Sequence, residues 1–201
     1  MGKAAYAALA LGGALVLAAG GACAAPLEQH LPICAACHGK DGNSLIADNP
    51  SLAGMAPEYL VRQMKHFKSG DRKSAVMAPM AAALDADAIQ ALADHFSEQT
   101  PAAGKAGDPA LAAKGKVVYD EGIVGSAVPA CSGCHGDDGS GDAKYPRLAG
   151  QHAAYVEKQL AAYRSGARAN DLKGVMGAVA KRMSDADMRA VAQYITGMNK
   201  E

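Results

Sequence analysis

The pattern Cys-x-x-Cys-His occurs twice in this chain of 201 residues, as CAACH from Cys34 and as CSGCH from Cys131. On a helix of about 3.6 residues per turn, each occurrence gathers two thiols and an imidazole within one turn. The match continues outward from the cysteines. CAACHGKDGNS and CSGCHGDDGSG lie 97 residues apart, NPSLAG (from Asn49) and YPRLAG (from Tyr145) lie 96 apart, and so do PEYLVRQMKHFKSGDR (from Pro57) and AAYVEKQLAAYRSGAR (from Ala153). Toward the end of each copy, LDADAIQALADHF from Leu84 matches MSDADMRAVAQYI from Met183 at an offset of 99. The order of matches never breaks, so the chain holds two homologous units of about 80 to 95 residues. With no Trp and two Phe in the whole sequence, units this small have little with which to fill a core.

The periodicity is helical. Leu60, Met64 and Phe67 form one stripe, and Val156, Leu160 and Tyr163 repeat it. Each copy closes with a helix begun at Asp85 or Ser184, whose last turns hold Leu92 and Phe96, or Val191 and Ile195. No stretch sustains a period of two, so the fold class is all-α. The first unit is expected over residues 25–97, a Pro/Gly/Ala-rich linker over 98–109, and the second unit over 110–201. Asp108 and Pro109 make an N-cap followed by a first-turn proline, starting a leading helix in the second unit. The matching stretch of the first unit is interrupted by Pro32, which predicts a short or missing leading helix.

Residues 1–24 combine Lys3, an Ala/Leu/Gly run and the small-residue site Ala22-Cys23-Ala24, a secretory leader with cleavage expected after Ala24; an uncleaved membrane anchor is the alternative. The remaining 177 residues carry 19 Lys+Arg against 20 Asp+Glu, a balance that gives no reason to expect a nucleic-acid partner.

With Cys23 leaving in the leader, four of the five cysteines remain, and in an exported chain they would ordinarily be read as two disulfides. The histidine after each pair changes that reading. Two thiols one turn apart, with an imidazole beside them, can accept the two vinyl groups of a porphyrin and set its iron over the histidine, and Cys-x-x-Cys-His is the attachment pattern of c-type haem. A four-cysteine zinc site wants its pairs roughly 12 to 20 residues apart, far closer than these. A thioredoxin-like dithiol expects a βαβ setting that the helical pattern lacks. Two covalently bound haem c groups are therefore expected, on Cys34 and Cys37 and on Cys131 and Cys134, with His38 and His135 as proximal iron ligands. Each haem would also supply the large apolar body that the unit's own side chains do not. His30, His66, His95 and His152 have no counterpart histidine in the other copy and are read as packing or exposed.

Cys-x-x-Cys-His-Gly, then [Asn/Tyr]-Pro-x-Leu-Ala-Gly, then Tyr-x3-Gln-x3-[Phe/Tyr]-x-Ser-Gly-x-Arg, then a methionine and a terminal helix together resemble class I cytochrome c. Duplicated over nearly the whole mature chain, they resemble the dihaem cytochrome c4 family. The resemblance implies two tandem class I cytochrome c-like domains, His/Met haems, periplasmic residence and single-electron transfer in a respiratory chain. Its expected partners are redox proteins, an upstream quinol-oxidising complex and a terminal oxidase, met in solution or at the membrane surface. It further implies that the carbonyls of Pro50 and Pro146 orient the proximal imidazoles, and that Arg72 and Arg168 either face haem propionates or end a solvated helix.

The sixth ligand follows from matching the copies. Met77 lies seven residues before Leu84 and Met176 seven before Met183. Met80 falls opposite Val179, Met183 opposite Leu84, Met64 opposite Leu160 and Met188 opposite Ile89. Only Met77 and Met176 recur, in segments without clear helical rhythm, so they are the expected axial methionines, with Met80 left to packing. A six-coordinate iron has no open position, which favours an electron carrier over an enzyme of its own, such as a dihaem peroxidase. The competing reading is the electron-accepting cytochrome subunit of a dehydrogenase complex.

Overall fold

The computed structural model describes residues 1–2 and 24–199, so the leader expected over residues 1–24 lies almost wholly outside the described residues. Two helical units follow one another. The first contains α1 (Ala24–His38), α2 (Pro57–Ser69), α3 (Met77–Ala82) and α4 (Ala86–Ser97). The second contains α5 (Pro109–Glu121), α6 (Ser132–His135), α7 (Ala153–Ser165), α8 (Val175–Ala180) and α9 (Asp185–Gly197), with short 3-10 turns at Val124–Ser126 and Leu172–Gly174. Among the described residues β pairing is limited to two isolated bridges, and no helix is long and apolar enough to cross a membrane.

Each unit has its own core. Tyr59, Leu60, Leu84, Leu92 and Phe96 close the first, and Tyr119, Val156, Leu160, Met183, Val191 and Ile195 close the second. The helix starts are chemically fixed. Asp85 accepts from the Ala88 N–H at 2.8 Å, Asp108 from the Leu111 N–H at 2.9 Å, and Ser184 forms a reciprocal capping box with Asp187. Met183 and Leu84 are buried just ahead of those closing helices.

The leading helix of the first unit corrects the expectation of a short or missing one. α1 runs for 15 residues and carries Pro32 inside it. A proline there removes one N–H bond and costs about 3 kcal/mol. Leu27, Leu31 and Cys34 pack on the first core and α1 lies against α4, so tertiary burial outweighs the local penalty. In the second unit α5 crosses α9 so closely that a Cβ on Gly115 would overlap the Ala190 carbonyl. Glycine inside a helix costs roughly 0.5–1 kcal/mol relative to alanine, and this crossing requires it.

The segment 98–109 is tied to both units. Asn43 donates to the Thr100 carbonyl at 3.1 Å and accepts from the Ala102 N–H at 2.7 Å, while Gln193 accepts from the N–H groups of Gly107 and Asp108 at 3.0 and 3.2 Å.

The units meet through a reciprocal polar network. Arg72 and Arg168, bridged to each other along the backbone, are both buried; this overturns the solvated-helix alternative for them. Arg72 donates to its own Gln63 at 2.9 Å and across the interface to Tyr155 at 2.8 Å and Gln159 at 3.0 Å. Arg168 donates to its own Gln159 at 2.7 Å and across to Tyr59 and Gln63, both at 3.2 Å. Residue i meets residue j′ and j meets i′, the signature of an isologous contact, built here within one chain. Each guanidinium also stacks at 4.6 Å on an aromatic ring of its own unit, Phe67 or Tyr163.

Unrepeated residues extend the contact. Gln151 clamps the Ser51 backbone with both ends of its amide at 2.9 Å, and His152 donates to the Ser44 carbonyl at 2.8 Å. Arg62 donates to the carbonyls of Ala143 and Lys144. His66 accepts from the Asn170 amide at 2.8 Å, so two of the four unmatched histidines serve the interface.

Two outcomes follow. Gly115→Ala should lower the thermal midpoint of the second unit in calorimetry, since overpacking costs roughly 1–3 kcal/mol against a smaller gain in helix propensity. Gln63→Leu removes the oxygen that Arg72, Arg168 and Asn170 all share. It should cost about 1–3 kcal/mol, visible as earlier denaturant unfolding, whereas Gln90→Leu on an exposed face should not.

Candidate haem sites

In the first copy Cys34, Cys37 and His38 occupy the last turn of α1. In the second, Cys131 is the N-cap of α6, and Cys134 and His135 lie within it. Both copies then turn sharply at a glycine. Gly42 and Gly139 have φ of 72° and 66°, and a Cβ on either would press on the backbone of Ala53 or Ala149. Their carbonyls accept the N–H groups of Leu52 and Ala53, or of Leu148 and Ala149. That close return lays Pro-x-Leu-Ala-Gly beside the histidine.

The consequence is a fixed imidazole. His38 Nδ1 lies 2.8 Å from the Pro50 carbonyl and His135 Nδ1 lies 3.0 Å from the Pro146 carbonyl. A carbonyl only accepts, so Nδ1 carries the proton and Nε2 keeps its lone pair free to bind a metal. Burial lowers the pKa of both histidines, the proline carbonyl opposing it in part, which favours the neutral, ligating form. In the second copy the ring of Tyr145 stands edge-on to His135 at 5.9 Å, and the buried Tyr119 donates to the Gly136 carbonyl at 2.7 Å, pinning α5 to the end of the motif.

The four thiols are unpaired and divide by position. Cys37 and Cys134 are exposed, while Cys34 and Cys131 are partly buried. Burial raises the Cys34 thiol and pushes Cys131 up to about 11. A disulfide-exchange motif lowers a thiol pKa; these shifts run the other way. The donor set suits a tethered haem: two thiols and an oriented imidazole per copy. Arg147, next to Pro146, is buried with its Nε unpartnered, and among the described residues Arg72 and Arg168 make no ion pair with a carboxylate. An anionic group such as a propionate would complement these cations.

The expected axial methionines lie in helices, which corrects the reading of their segments as irregular. Met77 opens α3 and Met176 is the second residue of α8. Helices of six residues are too short to show a period. Each methionine N–H is held by a side chain upstream: Met77 by Ser74 Oγ at 3.0 Å and Met176 by Asp171 Oδ2 at 2.6 Å. Met55, Met183, Met188 and Met198 are buried in the two cores, and Met64 packs against the first. Met80, expected to pack, is 44% exposed.

Known proteins carry the same arrangement. The family model "Cytochrome c" matches residues 112–199, and "Cytochrome C oxidase, cbb3-type, subunit III" matches residues 29–96. Cytochrome c4 of Thiocapsa roseopersicina is 44% identical over 171 residues, 84% of this chain and 88% of that protein. The thiosulfate dehydrogenase electron acceptor of Thiomonas intermedia is 41% identical over 166 residues, 81% of this chain and 76% of that protein. The crystal structure of reduced cytochrome c4 from Pseudomonas stutzeri superposes with a TM-score of 0.83 at 38% identity, covering 89% of this chain and all of that one.

Two helical cytochrome c units in tandem, each with a Cys-x-x-Cys-His turn and a buried imidazole, define a dihaem c-type cytochrome with two covalently bound haem c groups. The chain belongs to the cytochrome c4 family, a family of electron carriers.

The unequal burial of the thiols gives a check. Cys131→Ala should leave the second haem attached through Cys134 alone. Mass spectrometry of the denatured protein should still show two haems, and the pyridine haemochrome band should move toward that of a singly linked haem. Loss of one haem would count against this attachment.

Proposed function

We propose that this chain is a periplasmic carrier of single electrons in a respiratory chain, passing them toward a terminal oxidase through haems ligated by His38/Met77 and His135/Met176. The thioether positions are Cys34 and Cys37, and Cys131 and Cys134. The observation that carries this reading is the repetition of one device in each copy: an imidazole whose Nδ1–H is committed to Pro50 or Pro146, and a matching methionine whose N–H is held by a side chain a few residues upstream.

When bound, a haem supplies a one-electron couple, and a methionine sixth ligand favours the ferrous state relative to a second histidine. The chain's residues do the rest. The proline carbonyls hold the imidazoles in one tautomer, the short helices α3 and α8 carry the methionines, and the leading and closing helices pack together behind the motif. Arg72 and Arg168, which pair with no carboxylate among the described residues, and Arg147, whose buried Nε is unpartnered, suit haem propionates. Were His38 and Met77, and His135 and Met176, to hold the two irons, neither would offer an open position, and reduced protein should not bind carbon monoxide without denaturant.

The haem units are taken as residues 25–97 and 110–201, with 98–109 joining them and residues 1–24 removed on export; N-terminal mass analysis of the secreted protein tests the cleavage. A second reading is favoured by the likeness to a thiosulfate dehydrogenase electron acceptor: the chain would take electrons from a dehydrogenase. Rapid reduction by such an enzyme, faster than by a quinol-oxidising complex, would decide for it.

The ligands are tested by substitution. Met77→Ala and Met176→Ala should each remove about half of the red charge-transfer band between methionine sulfur and ferric haem, and the double variant should remove all of it. Loss of the band in Met80→Ala instead would contradict the pairing of copies.

A further inference from the structure

The two copies do not hold their methionines alike. From the interface arginine to the methionine is five residues in the first copy, Arg72 to Met77, and eight in the second, Arg168 to Met176. The three extra residues account for the change of repeat offset from 96 to 99. They form the 3-10 turn Leu172–Gly174, in which Lys173 has φ 56° and Gly174 φ 71°. A non-glycine residue in the left-handed region costs roughly 1–2 kcal/mol and persists only where its surroundings hold it there. This turn brings the Asp171 carboxylate over the start of α8. Its Oδ2 accepts from the Met176 N–H at 2.6 Å and lies 3.4 Å from the Gly177 N–H. Its Oδ1 is buried without a partner, and no Lys or Arg nitrogen lies within 4 Å of it among the described residues. The neighbouring Asn170 reaches across to Gln63 and His66 of the first unit, so the strap is fastened at the interface as well. In the first copy the anchor is the neutral hydroxyl of Ser74.

We propose that Asp171 is a positioning residue for the second haem: it fixes Met176 and, as a half-buried carboxylate with one oxygen unpartnered, holds the potential of that haem lower than a neutral anchor would. A negative charge near the iron stabilises the ferric state, so the two haems are tuned apart by the difference between Ser74 and Asp171. This role depends on Met176 being the sixth ligand, as proposed above.

The test uses the holoprotein, with a redox titration and the charge-transfer band recorded for the parent, Asp171→Asn, Asp171→Ser and Asp171→Ala. The neutral acceptors Asn and Ser should keep the band at full intensity while one of the two potentials rises and the other stays put. Asp171→Ala, with no acceptor, should weaken the band of one haem. If Asp171→Ala does not load haem, the potentials of the other two variants decide alone. Unchanged potentials in Asp171→Asn and Asp171→Ser, with Met176→Ala still halving the band, would overturn the role of Asp171 while leaving the ligand intact. A full band in Met176→Ala would overturn both.

Discussion

Everything in this molecule hangs on the short bond from an imidazole Nδ1–H to a proline carbonyl, made once in each copy. It decides which nitrogen is left free to bind a metal, and it forms where a left-handed glycine turns the chain back on its own motif at Gly42 and Gly139. The thiols one turn earlier then have a fixed partner to tether against. Leading and closing helices pack against each other in both units, and the α5–α9 crossing leaves no room for a Cβ at Gly115. A chain with few large apolar side chains gains its specificity here from backbone geometry and from the covalently held haem.

Duplication adds a second constraint. Because both copies carry Tyr, Gln and Arg at equivalent positions, one set of side chains can satisfy itself across a pseudo-two-fold axis, two buried guanidiniums sharing the oxygens of Gln63 and Gln159. Buried cations without carboxylates would be costly in a finished protein. Under the function proposed above, haem propionates would offset that cost. The copies have diverged around this symmetric centre, through Gln151, His152 and Arg62 at the interface and through the strap that carries Asp171.

Much of this was legible in the sequence. The repeated motif yielded the haems, the helical stripes yielded the cores, and the caps at Asp85, Asp108 and Ser184 are where their residue types put them. What escaped did so for identifiable reasons. Pro32 argued locally against α1, and packing of Leu27 and Leu31 overruled it. The helices that begin at or next to Met77 and Met176 are too short for periodicity to register. The interface network was written in plain sight, since Tyr59, Gln63 and Arg72 each recur in the second copy, but a repeated polar residue says nothing about which surface it meets. Gln151 and Asp171 had no repeat to mark them. The only trace of the Asp171 turn was a change in offset from 96 to 99.

The central claim, two six-coordinate His/Met haems built as copies of one site, is most directly tested by an optical redox titration of the purified holoprotein that follows the red charge-transfer band. Two one-electron steps, each accompanied by a methionine-sulfur signature in the ferric form, are the predicted result. One haem that titrates with a histidine-only or high-spin spectrum would contradict it.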